Sequence, residues 1–112
     1  VSEGQLRWLY ENTACYVFPS LSEGFGLPAL EAMAHGAPVT SSNATCLPEI
    51  YKDSAEYFTP TDIDSMTTAI EKVLTNKKFS DKLSESGKKL ASSYSWQRMA
   101  KQTLDIYKST LD

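Results

Sequence analysis

Apolar positions along the chain change their period several times. Over residues 3–12, EGQLRWLYEN, Leu6, Leu9 and Tyr10 recur at helical spacing beside Trp8, with Ser2 as N-cap and Asn12 as a stop. The pattern then becomes a continuous apolar run, Ala14-Cys15-Tyr16-Val17-Phe18, closed by Pro19-Ser20. Such runs mark parallel strands buried on both faces. A polar stretch with two glycines, Ser20 to Gly26, leads into PALEAMAH, a helical segment opened by Pro28 and ended by Gly36. Proline in the first turn and glycine just past the end is the favoured polarity of a helix, and His35 near its end suits the negative pole of the dipole. Ala37-Pro38-Val39-Thr40 reads as a second strand, Ser41 to Thr45 as a polar loop and Leu47-Pro48-Glu49-Ile50 as a turn or short helix. A third strand, Glu56-Tyr57-Phe58-Thr59, ends at Pro60.

The remainder is helical. Asp62 caps a segment that places Ile63, Met66, Ile70, Val73 and Leu74 on one face. A helix over about 80–92 follows, with Leu83, Leu90 and Ala91 inward and Gly87 as a weak point. Ser95 caps a last helix, about 96–111, whose Trp96, Ala100, Thr103, Leu104, Tyr107 and Leu111 make a stripe. Strands alternating with helices imply an α/β fold, with parallel strands joined by right-handed crossovers. The expectation is a three-stranded parallel sheet with flanking helices, half of a doubly wound domain.

Composition narrows the class without naming it. The 112 residues suit one domain or part of one, and 41% apolar with 22% charged residues is ordinary globular usage, not disorder. The apolar runs are too short for a membrane span, and Val1-Ser2-Glu3-Gly4 has no signal-peptide layout. With no initial Met, the chain is expected to begin inside a longer product. The net charge of −3 argues against broad nucleic-acid binding. Residues 1–60 carry a net −5 and residues 61–112 a net +2, which reads first as a pair of solvated helices with mixed charge. Cys15 and Cys46 form neither a disulfide framework nor a metal-spaced cluster, so both are read as free thiols of a reducing compartment. Asn43-Ala44-Thr45 matches a glycosylation tripeptide, but the other signs favour the cytoplasm.

The richest chemistry lies in Ser22-Glu23-Gly24-Phe25-Gly26-Leu27-Pro28-Ala29-Leu30-Glu31, between a buried strand and a helix. In open α/β sheets, ligands bind at the carboxyl ends of strands. Gly24 and Gly26 allow close backbone approach, and the amides at the helix start can receive a phosphate or sugar oxygen. Glu31 can accept from both hydroxyls of a ribose, and Glu23 from sugar hydroxyls. Each feature alone has an ordinary reading: glutamate favours the helix dipole, and glycines make turns. The whole string is more specific.

That string, with VFPS before it and NATCLPEI after it, resembles the nucleotide-sugar-binding half of GT-B-fold retaining glycosyltransferases, group 1 or family 4. This group includes bacterial mannosyltransferases and sucrose or glycogen synthases. Its mark is two glutamates with seven residues between them, here Glu23 and Glu31. The match runs on through Gly36-Ala37-Pro38-Val39, Leu47-Pro48-Glu49, Phe58-Thr59-Pro60 and Tyr94-Ser95-Trp96. The resemblance implies that Glu23 contacts the donor sugar at the reacting centre and that Glu31 binds the ribose. It also implies that the backbone of Gly24, Phe25, Gly26 and Leu27 meets sugar hydroxyls or the diphosphate. It implies a nucleotide diphosphate sugar as donor, a saccharide or lipid-linked acceptor, and no metal or other cofactor.

The family's cationic pair for the leaving diphosphate has no counterpart here, since Arg7 and Lys52 lie outside the matching context. Residues 1–112 therefore read as the C-terminal segment of the nucleotide-sugar-binding domain, holding its adjacent strands 4, 5 and 6 but neither the other half-sheet nor the acceptor domain. Alone it is expected to be inactive. Its first strand, 14–18, would have lost its usual partner and would invite self-association. The last helix, which in the family crosses back to the other domain, either packs here or projects. The basic helices over 72–89 leave room for peripheral contact with a membrane from the cytoplasmic side. The alternative reading is a non-catalytic half-domain that binds a protein through its exposed edge.

Overall fold

Three short parallel strands form the centre of the computed structural model, which describes residues 1–111. They are β1 (Tyr16–Phe18), β2 (Val39–Ser42) and β3 (Glu56–Phe58), in the order β1-β2-β3. Tyr16 lies opposite Val39 and Thr40 opposite Glu56. Helix α1 (Glu3–Asn12) precedes β1, α2 (Leu27–Ala34) links β1 to β2, and α3 (Leu47–Tyr51) with a 3-10 turn at Lys52–Ser54 links β2 to β3. Then come α4 (Ile63–Thr75), α5 (Lys77–Ser93) and α6 (Trp96–Ser109). This is the expected α/β architecture of adjacent parallel strands with flanking helices.

Local chemistry sets most boundaries. Ser2 and Gln5 form a capping box at α1, and Asp62, Asn76 and Ser95 each accept from the third residue of the helix that follows. Helix α2 ends in a Schellman motif. Gly36 takes φ 85°, its N–H bonds the Met33 carbonyl, and the Ala37 N–H bonds the Ala32 carbonyl. Ser84 of α5 donates to the Gly36 carbonyl at 2.6 Å, fixing that turn from across the core.

The core lies between the sheet, α2, α3 and α5, around Met33, Val39, Leu47 and Tyr51, all fully buried. Gly87 lies buried inside α5 because a Cβ there would stand 3.0 Å from Met33 Cγ. Helix propensity is given up for close approach of α5 to α2.

Three expectations change, at β1, β2 and α4, and one left open, at α6, is decided. β1 begins at Tyr16 and is half-buried throughout, because it is an edge strand with β2 on one side only. Cys15 precedes it, half-buried, with Sγ 3.6 Å from Thr40 Oγ1. β2 is displaced to Val39–Ser42, so that Thr40, Ser41 and Ser42 are wholly buried. Their hydroxyls have partners at Cys15 Sγ, the Ser42 carbonyl and the Ser20 carbonyl, which is what lets polar residues occupy a central strand. In α4, Ala69 and Val73 face the core, while Ile63 and Leu74 face solvent. Helix α6 buries none of its residues, and Trp96 and Tyr107 are 70% and 65% exposed. It projects, giving extents of 55 × 31 × 28 Å and a radius of gyration of 15.8 Å, against about 13 Å for a compact chain of this length.

Candidate functional site

The loop after β1 is held by the loop after β2. Ser42, the last residue of β2, donates to the Ser20 carbonyl at 2.5 Å, and Ser20 Oγ donates to Glu23 Oε1 at 3.0 Å. The half-buried Glu23 side chain thus sits at the carboxyl end of the sheet, one side-chain hydrogen bond removed from the strand-end backbone. Its backbone is held as firmly. The Glu23 N–H donates to Thr45 Oγ1 at 3.3 Å, and Thr45 Oγ1 donates to the Glu23 carbonyl at 3.1 Å. Cys46 Sγ lies 3.4 Å from the Glu23 carbonyl oxygen and 3.2 Å from that of Gly24. Thr45 has φ 51°, a left-handed conformation rare for a β-branched residue.

The two loop glycines differ. Gly26 is the N-cap of α2, with φ 83°, and its carbonyl accepts from the Tyr51 hydroxyl at 2.6 Å. A Cβ there would collide with that hydroxyl and stand 2.8 Å from Leu47 Cδ2. Gly24 has open space where a Cβ would be. Gly26 therefore serves the turn, and Gly24 leaves a bare stretch of backbone facing outward. No side chain caps α2, and Pro28 stands in its first turn. Phe25 lies edge-on to Tyr94 at 5.6 Å, and Leu27 is 46% exposed. Both line an apolar groove of about 380 Å³ between α2 and the start of α6, so only their backbone groups face the task expected of them.

Glu31 lies in the second turn of α2, not the first. The helix dipole acts mainly within the first turn, so it is a poor explanation for an acid here. The exposed Glu31 side chain borders the Phe25–Leu27 groove on one side and a second cleft of about 350 Å³, with Arg7, Tyr10 and His35, on the other. His35 itself closes α2 and stacks on Tyr10 at 5.9 Å. Glu23 lines neither cleft. Burial raises the pKa of the Tyr16 hydroxyl, with smaller contributions from Tyr10 and from the negative charges of Glu31 and Glu23. Tyr10 is also raised, by burial and then by Glu31. Of the cations weighed from the sequence, Arg7 pairs with Glu11 at 2.7 Å on the exposed face of α1, and Lys52 occupies the turn before β3 with φ 51°.

Sequence reasoning overlooked Ser20, Ser42, Thr45, Cys46 and Tyr51. The available signal was topological: the loops after neighbouring parallel strands meet at the same end of the sheet, so NATC had to lie beside SEGFG.

The family model of "Glycosyl transferases group 1" matches residues 1–90. The chain belongs to this family. It is 37% identical over 108 residues to an O-antigen chain mannosyltransferase B of Escherichia coli, covering 96% of this chain and 28% of that protein. It is 35% identical over 115 aligned positions to an MMP alpha-(1->4)-mannosyltransferase of Mycolicibacterium hassiacum, covering 99% and 28%. This group 1 chain thus spans somewhat more than a quarter of the length of these relatives. Among solved structures, a sucrose-phosphate synthase of Thermosynechococcus elongatus superposes with a TM-score of 0.85 at 26% identity, over 99% of this chain and 29% of that one.

Proposed function

We propose that residues 1–112 form the donor-binding segment of a retaining sugar transferase. That enzyme moves a sugar from a nucleotide diphosphate to a saccharide or lipid-linked acceptor. Glu23 contacts the donor sugar at the reacting carbon, Glu31 accepts from the ribose hydroxyls, and the backbone of Gly24 to Leu27 meets sugar or diphosphate oxygens. The observation that carries this reading is that Glu23 is hydrogen-bonded to Ser20 in the loop after β1 and Glu31 stands in the second turn of the helix that loop opens, in a chain of the glycosyl transferase family. The bare backbone at Gly24 and the second-turn position of Glu31 support it.

The chemistry follows from the residue types. A carboxylate near the anomeric carbon stabilises positive charge as the diphosphate leaves. Donor and acceptor must also be held together, and that positioning supplies much of the rate. Among the described residues no Lys or Arg pairs with Glu23, and the segment alone binds donor weakly and does not turn over. The enzyme works without a bound metal, in the cytoplasm, and can meet a membrane peripherally through its basic helices.

The free edge of β1 favours one further property. It presents unpaired backbone groups beside Tyr16 and Phe18, whose rings stack at 6.3 Å. Another strand completes this edge, from a second copy when the segment stands alone. Sedimentation as a strict monomer with rapidly exchanging but rigid β1 amides contradicts this.

The site assignment is tested in the full-length transferase. Glu23→Ala should cut kcat at least about a hundred-fold with the fold intact, on the scale of losing one preorganised electrostatic group. Glu31→Ala should mainly raise KM for the donor. Unchanged kinetics in both variants removes the assignment.

A further inference from the structure

We propose that Thr45 and Cys46 are positioning residues for Glu23, and that they govern affinity for the sugar part of the donor and not for its nucleotide. The proposal rests on the donor reading above.

Thr45 is held in a backbone conformation that its branched side chain disfavours, φ 51°. Such outliers persist only where the surroundings over-determine them. Here the surroundings are identifiable. One hydroxyl accepts from the Glu23 N–H and donates to the Glu23 carbonyl, so a single side chain fixes both ends of one residue's backbone. Cys46 adds a thiol within reach of the Glu23 and Gly24 carbonyls; its one proton can serve either, but not both at once. The Glu23 carboxylate itself is steered from a third direction by Ser20.

The consequence is a division of labour. Glu23 is tied to the loop after β2 through Thr45 and Cys46. Glu31 stands beyond Gly26, which is tied separately to α3 through Tyr51. Loss of the Thr45 hydroxyl should therefore move Glu23 while leaving Glu31 in place. The competing explanation is that Thr45 merely shapes the turn into α3, where the Leu47 N–H bonds the Ala44 carbonyl at 3.2 Å. A turn-shaping role depends on the backbone and should be served at least as well by glycine.

The test uses Thr45→Val, Thr45→Ser and Thr45→Gly. Hydrogen exchange at the Glu23 amide is followed in this chain. Affinities for GDP-mannose against GDP, and for UDP-glucose against UDP, are measured in the full-length transferase. Thr45→Val should speed Glu23 exchange about ten-fold and weaken the nucleotide sugar about ten-fold, the scale of one hydrogen bond, with the nucleoside diphosphate unchanged. Thr45→Ser should restore both, and Thr45→Gly should behave like Thr45→Val. Cys46→Ala should act in the same direction but more weakly, with Cys46→Ser restoring it. If Thr45→Gly matches the parent chain in both readouts, or if Thr45→Val leaves the sugar-dependent affinity intact, the positioning role is overturned alone. If the unsubstituted enzyme binds neither nucleotide sugar, the donor reading fails, and the proposal with it.

Discussion

The Tyr51 hydroxyl donates to the Gly26 carbonyl at 2.6 Å, tying α3 to the residue on which α2 begins. Burial raises the pKa of that phenol, so it stays a donor across the whole physiological range. Tyr51→Phe keeps the ring and removes the bond, and should cost about 1 kcal/mol. That corresponds to a fall of about 4 °C in Tm for a domain of this size, measured by thermal unfolding.

The two loop glycines should respond in opposite ways to alanine. At Gly26, an added methyl meets Tyr51 and Leu47 in a left-handed backbone, and Gly26→Ala should cost about 3 kcal/mol or more. At Gly24, nothing stands within 4 Å of the added atom, and Gly24→Ala should leave stability within about 0.5 kcal/mol. If a donor meets the bare backbone there, Gly24→Ala should still lower its affinity. Unfolding curves and donor titrations on the same two variants separate turn-making from ligand-making glycine.

Gly87→Ala reverses a familiar rule. Alanine in a helix interior normally gains about 1 kcal/mol over glycine. Here the new Cβ would lie 3.0 Å from Met33 Cγ and 3.2 Å from Met33 Cβ, and Met33 is fully buried with nowhere to retreat. An overpacking cost of about 2 kcal/mol, the middle of the usual range, less that gain should destabilise by about 1 kcal/mol net, read as a lower midpoint in urea. A rise in the midpoint would mean that α5 can withdraw from α2.

Four phenols should ionise late. Burial is the leading cause at Tyr10, Tyr16, Tyr51 and Tyr57. Glu31 adds to it at Tyr10; Tyr10, Glu31 and Glu23 at Tyr16; and Asp53 at Tyr57. An acid whose folded pKa is raised holds its proton more tightly when folded. Its contribution is complete below the unfolded value of about 10 and is lost as pH rises toward the folded value. Phenolate absorbance should therefore lag behind that of the unfolded chain above pH 10, and stability should fall over the same window.

Much of the fold was legible because local rules and tertiary packing agree. Ser2, Asp62 and Ser95 cap the helices they were expected to cap, and Gly36 closes α2. The strand order follows from alternation and short crossovers. What was not legible depends on partners distant in sequence. Ser41 and Ser42 read as loop residues because their polarity is visible, whereas the acceptors that satisfy them are not. Gly87 reads as a flaw in α5 until Met33 is seen against it. The stripe on α6 reads as a packing face, yet within these residues it meets no core. At the candidate site, Glu23 and Glu31 are singled out by the family resemblance of their segment, but the clamp on Glu23 was not legible, since Thr45 lies 22 positions away.

The most direct measurement is a titration of this chain with a nucleoside diphosphate, following every backbone amide. Binding through Glu31 and the loop predicts shifts concentrated from Gly24 to Glu31, weakened by Glu31→Ala. Shifts confined to other parts of the fold, or none at millimolar ligand, would contradict a donor site at this edge of the sheet.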